Sequence, residues 1–200
     1  GGGWVGGGGW GRGRGGGHGS GARELGVAKQ GTSAAVDDVS DDDEVGLWIV
    51  STDLAEGRDV VALVEAARVG DVKEQLRNRI RDLVPLNGTP LYTATQSAYE
   101  EVLGSHDPSR INAVVLLSDG VNDDGEPDDD RRQLEELLER LSAGAEGQQG
   151  RDVRVCPISY GEGADLATLR RIAEASQAAL YDSSDPRSIT KVFVAVVSNF

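Results

Sequence analysis

The chain of 200 residues carries 28 glycines, one cysteine, two histidines and a formal net charge of −14. Such an excess of carboxylates disfavours phosphate backbones as partners, one cysteine excludes an internal disulfide framework and a thiolate zinc cage, and two histidines leave little for imidazole chemistry. No apolar run approaches the roughly 18 residues of a membrane-spanning helix, and no basic stretch leads into an apolar one as in a signal peptide.

Residues 1–22, GGGWVGGGGWGRGRGGGHGSGA, hold 14 of the glycines. Glycine loses the most backbone entropy on ordering, and only Trp4, Val5 and Trp10 offer apolar area here, so this lead reads as disordered or foreign to the fold. The alternative, a ligand-gripping glycine loop, lacks the accompanying strand and phosphate-binding lysine. Residues 23–200 have ordinary globular composition and a length suited to one domain. Leu25, Ala28, Ala35 and Val39 fall on a helical face, and SDDDE then makes a polar turn. VGLWIVST (45–52) is a short apolar run that suits a strand covered on both faces. Residues 58–64 read as an antiparallel edge strand, although 60–69 also fits a helix.

Val72, Leu76, Ile80 and Leu83 have helical spacing over 71–84, with Asp71 as the expected N-cap. TPLYTATQSAYEEVLG (89–104) predicts a helix with Thr89 at its start and Pro90 in the first position. INAVVLLSDG (111–120) is the clearest strand, 128–144 an amphipathic helix with an acidic start, and VRVCPISYG (153–161) another buried strand. A helix over 164–177, a short strand at AALYDSS and a closing helix over 185–200 complete the pattern. Strands alternating with helices after the first hairpin predict an α/β layered fold with a mostly parallel sheet. Ligands in such folds sit beyond the carboxyl ends of the strands, which points to 51–53, 118–122 and 159–162.

Seven carboxylates and no basic residue lie between Asp119 and Asp130. Most of that acidic loop reads as a solvated surface, and Asp128–Asp130 as the start of a helix. Asp119 differs because it sits where a buried strand meets its loop. A calcium loop of the helix–loop–helix type fails: aligning Gly125 with its turn glycine places Gly120 and Arg131 where carboxylates are needed. Cys156 reads as a buried small hydrophobe, His106 as an exposed turn residue and Trp48 as core. Ser51, Ser118 and Ser159 recur at strand ends without a histidine partner or a nucleophile elbow, so hydrolase chemistry is not expected.

The order EVGLWIVST, LNGTPLYTA, NAVVLLSDGVND and VRVCPISYGEGADLATLRRIAEASQAALYDSSDP resembles the von Willebrand factor type A (VWA) domain over roughly residues 23–200, in its bacterial form. The resemblance implies a three-layer, Rossmann-like α/β fold with a mostly parallel central sheet and one antiparallel edge strand. It also implies a metal-ion-dependent adhesion site at which oxygens from three loops hold a divalent cation, usually magnesium, and an acidic partner group completes the shell. Thr89 and Asp119 resemble two of the three segments. The third, Asp-x-Ser-x-Ser after a central first strand, has no counterpart upstream of residue 23, and Asp38-Val39-Ser40-Asp41-Asp42 lacks the second serine and sits between a helix and the strand 45–52, on the wrong side of the sheet. Magnesium binding is therefore expected to be weak or absent. The first strand is missing or replaced. Strands 45–52 and 111–118 then pair directly, or the Trp4–Trp10 region fills the slot, or a partner chain supplies a strand, and the fold is expected to be marginally stable.

These features imply a non-catalytic module that binds another protein through an acidic residue, with Ser51, Asn122, Tyr160 and Glu162 on the partner-facing rim. Assistance to a chaperone-like ATPase or a metal-inserting complex is the alternative, as is a degenerate copy that binds no metal. Family habit suggests an exported or membrane-anchored parent protein.

Overall fold

A computed structural model describes residues 20–55, 58–84, 88–147, 152–160, 164–183 and 191. In chain order these form α1 (Ser20–Asp38), β1 (Glu44–Ala55), β2 (Arg58–Arg68), α2 (Val69–Asp82), α3 (Leu91–Gly104), β3 (Asn112–Ser118), α4 (Asp130–Gly147), β4 (Val153–Tyr160), α5 (Leu166–Ala175) and β5 (Tyr181–Ser183). β1 and β2 make an antiparallel hairpin whose ends pair Glu44 with Arg68 and Ala55 with Arg58. β3 pairs in parallel with β4 from Asn112–Val153 to Ser118–Ser159, and β4 with β5 from Ile158–Tyr181 to Tyr160–Ser183. Among the described residues β1 and β3 do not pair, so the strands form a sheet of two and a sheet of three.

The β-strand period of two explains how both sheets serve the same two cores. Val45 and Leu47 of β1, Val115 and Leu117 of β3 and Ile158 of β4 pack under α1 and α2, against Leu25, Ala28, Leu76 and Ile80. Val114 and Leu116 of β3 and Val155 of β4 face the other way, into a cluster with Tyr99, Leu137, Leu141, Leu169 and Ile172 of α3, α4 and α5. Half-buried Trp48 of β1 packs against that second cluster. Helix, sheet, helix is the three-layer α/β arrangement, with β2 as its antiparallel edge strand.

Several local expectations change. The ambiguous 60–69 segment is strand to Arg68, because cross-strand pairing with β1 outweighs its equally acceptable helical period. Asp71 lies in the first turn of α2, not at its N-cap; Arg68 holds that position without a side-chain bond. Thr89 likewise falls outside α3, whose N-cap is Pro90, because its backbone is engaged by another loop. His106 is half-buried, where an exposed turn was expected. α1 begins at Ser20, three residues inside the lead as drawn from composition. The remainder of the lead lies outside the described residues, as does the expected closing helix apart from Lys191, which is helical.

Candidate functional site

β3 is buried along its whole length and carries Asp119 out at its carboxyl end. The turn that follows is built from its own side chains: Ser118 Oγ accepts from the Gly120 N–H at 3.0 Å, and Asp119 Oδ1 accepts from the Val121 N–H at 3.1 Å. The Asp119 carbonyl accepts from the Asp165 N–H at 2.7 Å, which ties the turn to the start of α5. Gly120 makes this contact possible. Its φ is +84°, and a Cβ there would meet the Asp165 carbonyl oxygen at 2.6 Å and Leu169 Cγ at 3.0 Å.

A second loop is clamped to the first. Thr89 and Asp123 exchange both backbone hydrogen bonds, Thr89 N–H to Asp123 at 2.7 Å and Asp123 N–H to Thr89 at 2.8 Å. The Asn122 amide completes the clamp: Oδ1 accepts from the Tyr92 N–H at 3.3 Å, and Nδ2 donates to Asp130 Oδ1 at 2.7 Å. It thus holds together the starts of α3 and α4. Asp165 caps α5, accepting from the Thr168 N–H at 3.1 Å and the Thr168 hydroxyl at 2.7 Å. Thr89 and Asp119 are therefore brought to one lip of the sheet, three residues of a single loop separating Asp119 from Asp123, which pairs with Thr89.

The electrostatics of the two candidate ligands are distinctive. Thr89 is 4% exposed, and its hydroxyl makes no hydrogen bond among the described residues. Asp119 is half-buried, and burial pushes its carboxyl pKa up although backbone N–H donors, chiefly that of Val121, pull it down. No ion pair among the described residues involves it, whereas Arg132 bonds Asp129 and Glu136, and Arg171 bonds Glu135. Asp124 shows the contrast. Its burial raises the pKa, but bonds from the Glu126 N–H and the Gln133 and Asn122 amides outweigh that and lower it. Asp119 thus holds an incompletely compensated negative charge, and Thr89 an unengaged hydroxyl.

The rim differs from expectation at several positions. Ser51 and Tyr160 are 2% and 5% exposed, so they lie beneath the surface where a partner was expected to touch them. The cause is their place in buried runs of β1 and β4. Asn122 is half-buried and works as a strut between helices, and Glu162 lies outside the described residues. Val121, about half exposed beside Asp119, presents an apolar side chain that residue-type reasoning passed over. Asp165 was missed as well, although its spacing to Thr168 is that of an N-cap and the N–H it reaches. Asp41 and Asp42 sit in the turn before β1, at the opposite end of that strand, and pair with Lys73 and Arg68. Cys156 is 4% exposed with its thiol pushed up to about 11 by burial, an inert core group.

A hydroxyl and a carboxylate are hard oxygen donors, suited in kind to magnesium. They fall short in number: among the described residues no three His, Cys, Asp or Glu side chains are grouped so as to hold a metal. A closed cage is not built from them. Water and an external carboxylate would have to supply the rest of an octahedral shell.

No protein-family model and no curated protein matches the chain. Solved structures do. A von Willebrand factor type A protein from Catenulispora acidiphila superposes with a TM-score of 0.73 at 16% identity, over 98% of this chain and 42% of that one. The pilus adhesin SpaC from Lactobacillus rhamnosus GG, in its open conformation, gives 0.70 at 10% identity, over 99% and 30%. The ArnB paralog VWA2 from Sulfolobus acidocaldarius gives 0.58 at 18% identity, over 96% and 44%. The chain spans less than half the length of each of these. With helices on both faces of its strands and a loop lip at the carboxyl end of β3, the chain has the fold of a von Willebrand factor type A domain.

Proposed function

We propose that the chain is a non-catalytic protein-binding module that recognises an acidic side chain of its partner through a divalent cation at the lip formed by Thr89 and Asp119. The observation that carries this reading is the pairing of the unengaged hydroxyl of buried Thr89 with the half-buried carboxylate of Asp119, which joins no ion pair among the described residues, on two loops clamped by the Thr89–Asp123 bridge. A cation bound there supplies a positive charge that attracts a carboxylate. The chain's own part is to orient the donors: Gly120 lets the Asp119 turn sit tightly on α5, and Asn122 fixes the entry of α3 beside Thr89. Exposed Val121 offers an apolar contact next to the charged one. Adhesive and VWA names among the structural neighbours support an interaction role. Among the described residues no nucleophile–base pair argues for catalysis.

With few protein ligands, the cation binds weakly alone and more tightly when a partner carboxylate joins the shell. Calorimetric titration with Mg²⁺ and Mn²⁺ tests this. The expected result is a weak signal, with dissociation on the order of millimolar as at weakly liganded sites, that vanishes in Asp119→Ala. A signal unchanged in that variant, or none in the parent with a carboxylate peptide present, overturns the reading. The reading in which such a module assists an ATPase separates from it in a chelator-controlled pull-down, where an ATPase is retained in place of an acidic ligand.

A further inference from the structure

Thr89 and Asp119 come from different loops, and the bridge between those loops leaves one freedom open. The Thr89–Asp123 pair fixes Thr89 against the far end of the Asp119 turn. Asp119 itself is held from another side: its carbonyl accepts from the Asp165 N–H at 2.7 Å. Where Asp119 sits relative to Thr89 therefore follows how the start of α5 is set against the start of α3.

Tyr92 joins those two starts. It is the second residue of α3, and the Leu91 N–H just before it donates to the Thr89 carbonyl at 2.7 Å, so little slack separates Tyr92 from Thr89. The Tyr92 side chain is buried, and its phenol has the Thr168 side chain as a hydrogen-bonding partner. Burial, then the nearby carboxylates of Asp130 and Asp165, push the phenol pKa above its ordinary value, so the group stays an O–H donor. Thr168 has a single hydroxyl proton, which goes to Asp165 Oδ2 at 2.7 Å, and its oxygen is left to accept from Tyr92. Capping α5 does not require that hydroxyl, because Asp165 Oδ1 already accepts from the Thr168 N–H at 3.1 Å. The hydroxyl instead extends the cap into a chain from Tyr92 through Thr168 to Asp165. Tyr92 also donates its backbone N–H to Asn122 Oδ1 at 3.3 Å, so one residue grips the lip from both sides of the Asp119 turn.

We propose that Tyr92 and Thr168 are positioning residues of the lip: the hydroxyl chain from Tyr92 through Thr168 to Asp165 locks the start of α5 to the start of α3 and so sets Asp119 against Thr89. The purpose of this lock rests on the cation reading above, whereas the lock itself rests on the hydrogen bonds. Neither residue is a ligand. Removing either hydroxyl loosens the lip while leaving both candidate donors in the chain.

Amide NMR of the full chain and its Tyr92→Phe, Thr168→Val and Thr168→Ser variants tests this with two readouts. The first is exchange of the Asp165 amide without cation. It is expected to speed up roughly 2- to 10-fold in Tyr92→Phe and in Thr168→Val, the equivalent of one net hydrogen bond, and to return to the parent rate in Thr168→Ser, which keeps the hydroxyl. The second is the Mn²⁺ concentration that half-broadens the signals of Thr89 and of Asp119 to Val121. It is expected to rise by a similar factor in the same two variants and to recover in Thr168→Ser. The double variant Tyr92→Phe/Thr168→Val is expected to match Thr168→Val alone, because both changes break one chain. A role in packing alone would lower stability in urea without moving the Mn²⁺ midpoint, and that result overturns the proposal, as do additive effects in the double variant. A parent that shows no broadening at the lip sinks the cation reading instead. The Asp165 amide then decides the lock by itself: faster exchange in Tyr92→Phe supports it, and an unchanged rate overturns it.

Discussion

Gly120→Ala probes the joint on which the lip depends. A methyl at this position meets the Asp165 carbonyl oxygen at 2.6 Å and Leu169 Cγ at 3.0 Å, inside normal contact, and the backbone φ of +84° is one that alanine resists. The left-handed conformation costs about 1–2 kcal/mol, partly offset by about 0.4–1 kcal/mol from a stiffer unfolded chain. Relief of the clash moves the start of α5 away and opens the 2.7 Å bond from the Asp165 N–H to the Asp119 carbonyl, for about 1–3 kcal/mol more. Gly125 provides the control. Its φ is +87°, but nothing lies within 4 Å of its added Cβ, so Gly125→Ala carries the conformational cost alone. Urea unfolding of the two variants against the parent is expected to place Gly120→Ala about 1–3 kcal/mol below Gly125→Ala. Equal stabilities would refute the close seating of the Asp119 turn on α5.

Other expectations follow from burial and charge. The folded-state pKa of Asp119 is raised above 3.8, so in the window above that value the native state holds a proton that the unfolded chain releases. Its contribution is fully present below 3.8 and is lost as the pH rises through the folded pKa; in Asp119→Asn that part of the pH dependence of unfolding is expected to disappear, and unchanged curves would contradict the assigned burial. Ser176→Ala leaves the buried Val155 N–H, now bonded to Ser176 Oγ at 2.9 Å, without that acceptor and is expected to cost about 1–3 kcal/mol in the same urea assay. A loss below 0.3 kcal/mol, roughly the scatter of such data, would mean another acceptor serves it. Cys156, with its thiol near 11, is expected to resist iodoacetamide at pH 8 until the protein is unfolded. Labelling of the native protein at the rate of a free thiol would overturn its placement.

Sequence reading reached the fold wherever periodicity and length agreed. The β3 run, the amphipathic α4 and the closing order of β4, α5 and β5 were legible because each buries an unbroken apolar face or run. It failed at helix starts, where Asp71 and Thr89 had the chemistry of N-caps but tertiary bonds assigned Arg68 and Pro90 to those positions. At the lip, residue type identified Thr89 and Asp119, since a polar side chain at the end of a buried strand stands out. The parts that hold them together were hidden. Asn122 bonded to the Tyr92 N–H, Gly120 pressed on α5 and the Thr89–Asp123 bridge are contacts between segments 30 or more residues apart, which local spacing does not encode. Ser51 and Tyr160 were misplaced for a related reason: a strand-end rule gives the end of the sheet but not the depth of a side chain within it.

Paramagnetic broadening by Mn²⁺ in amide NMR spectra of the full chain tests the central claim most directly, because it locates a cation without requiring tight binding. The account predicts that the signals of Thr89 and of Asp119 to Val121 broaden first, at the lowest Mn²⁺ additions, and that Mg²⁺ competes the effect away. Broadening centred instead on the exposed Asp128 and Asp129, with the Thr89 signal unaffected, would contradict it and leave only an acidic surface attracting cations.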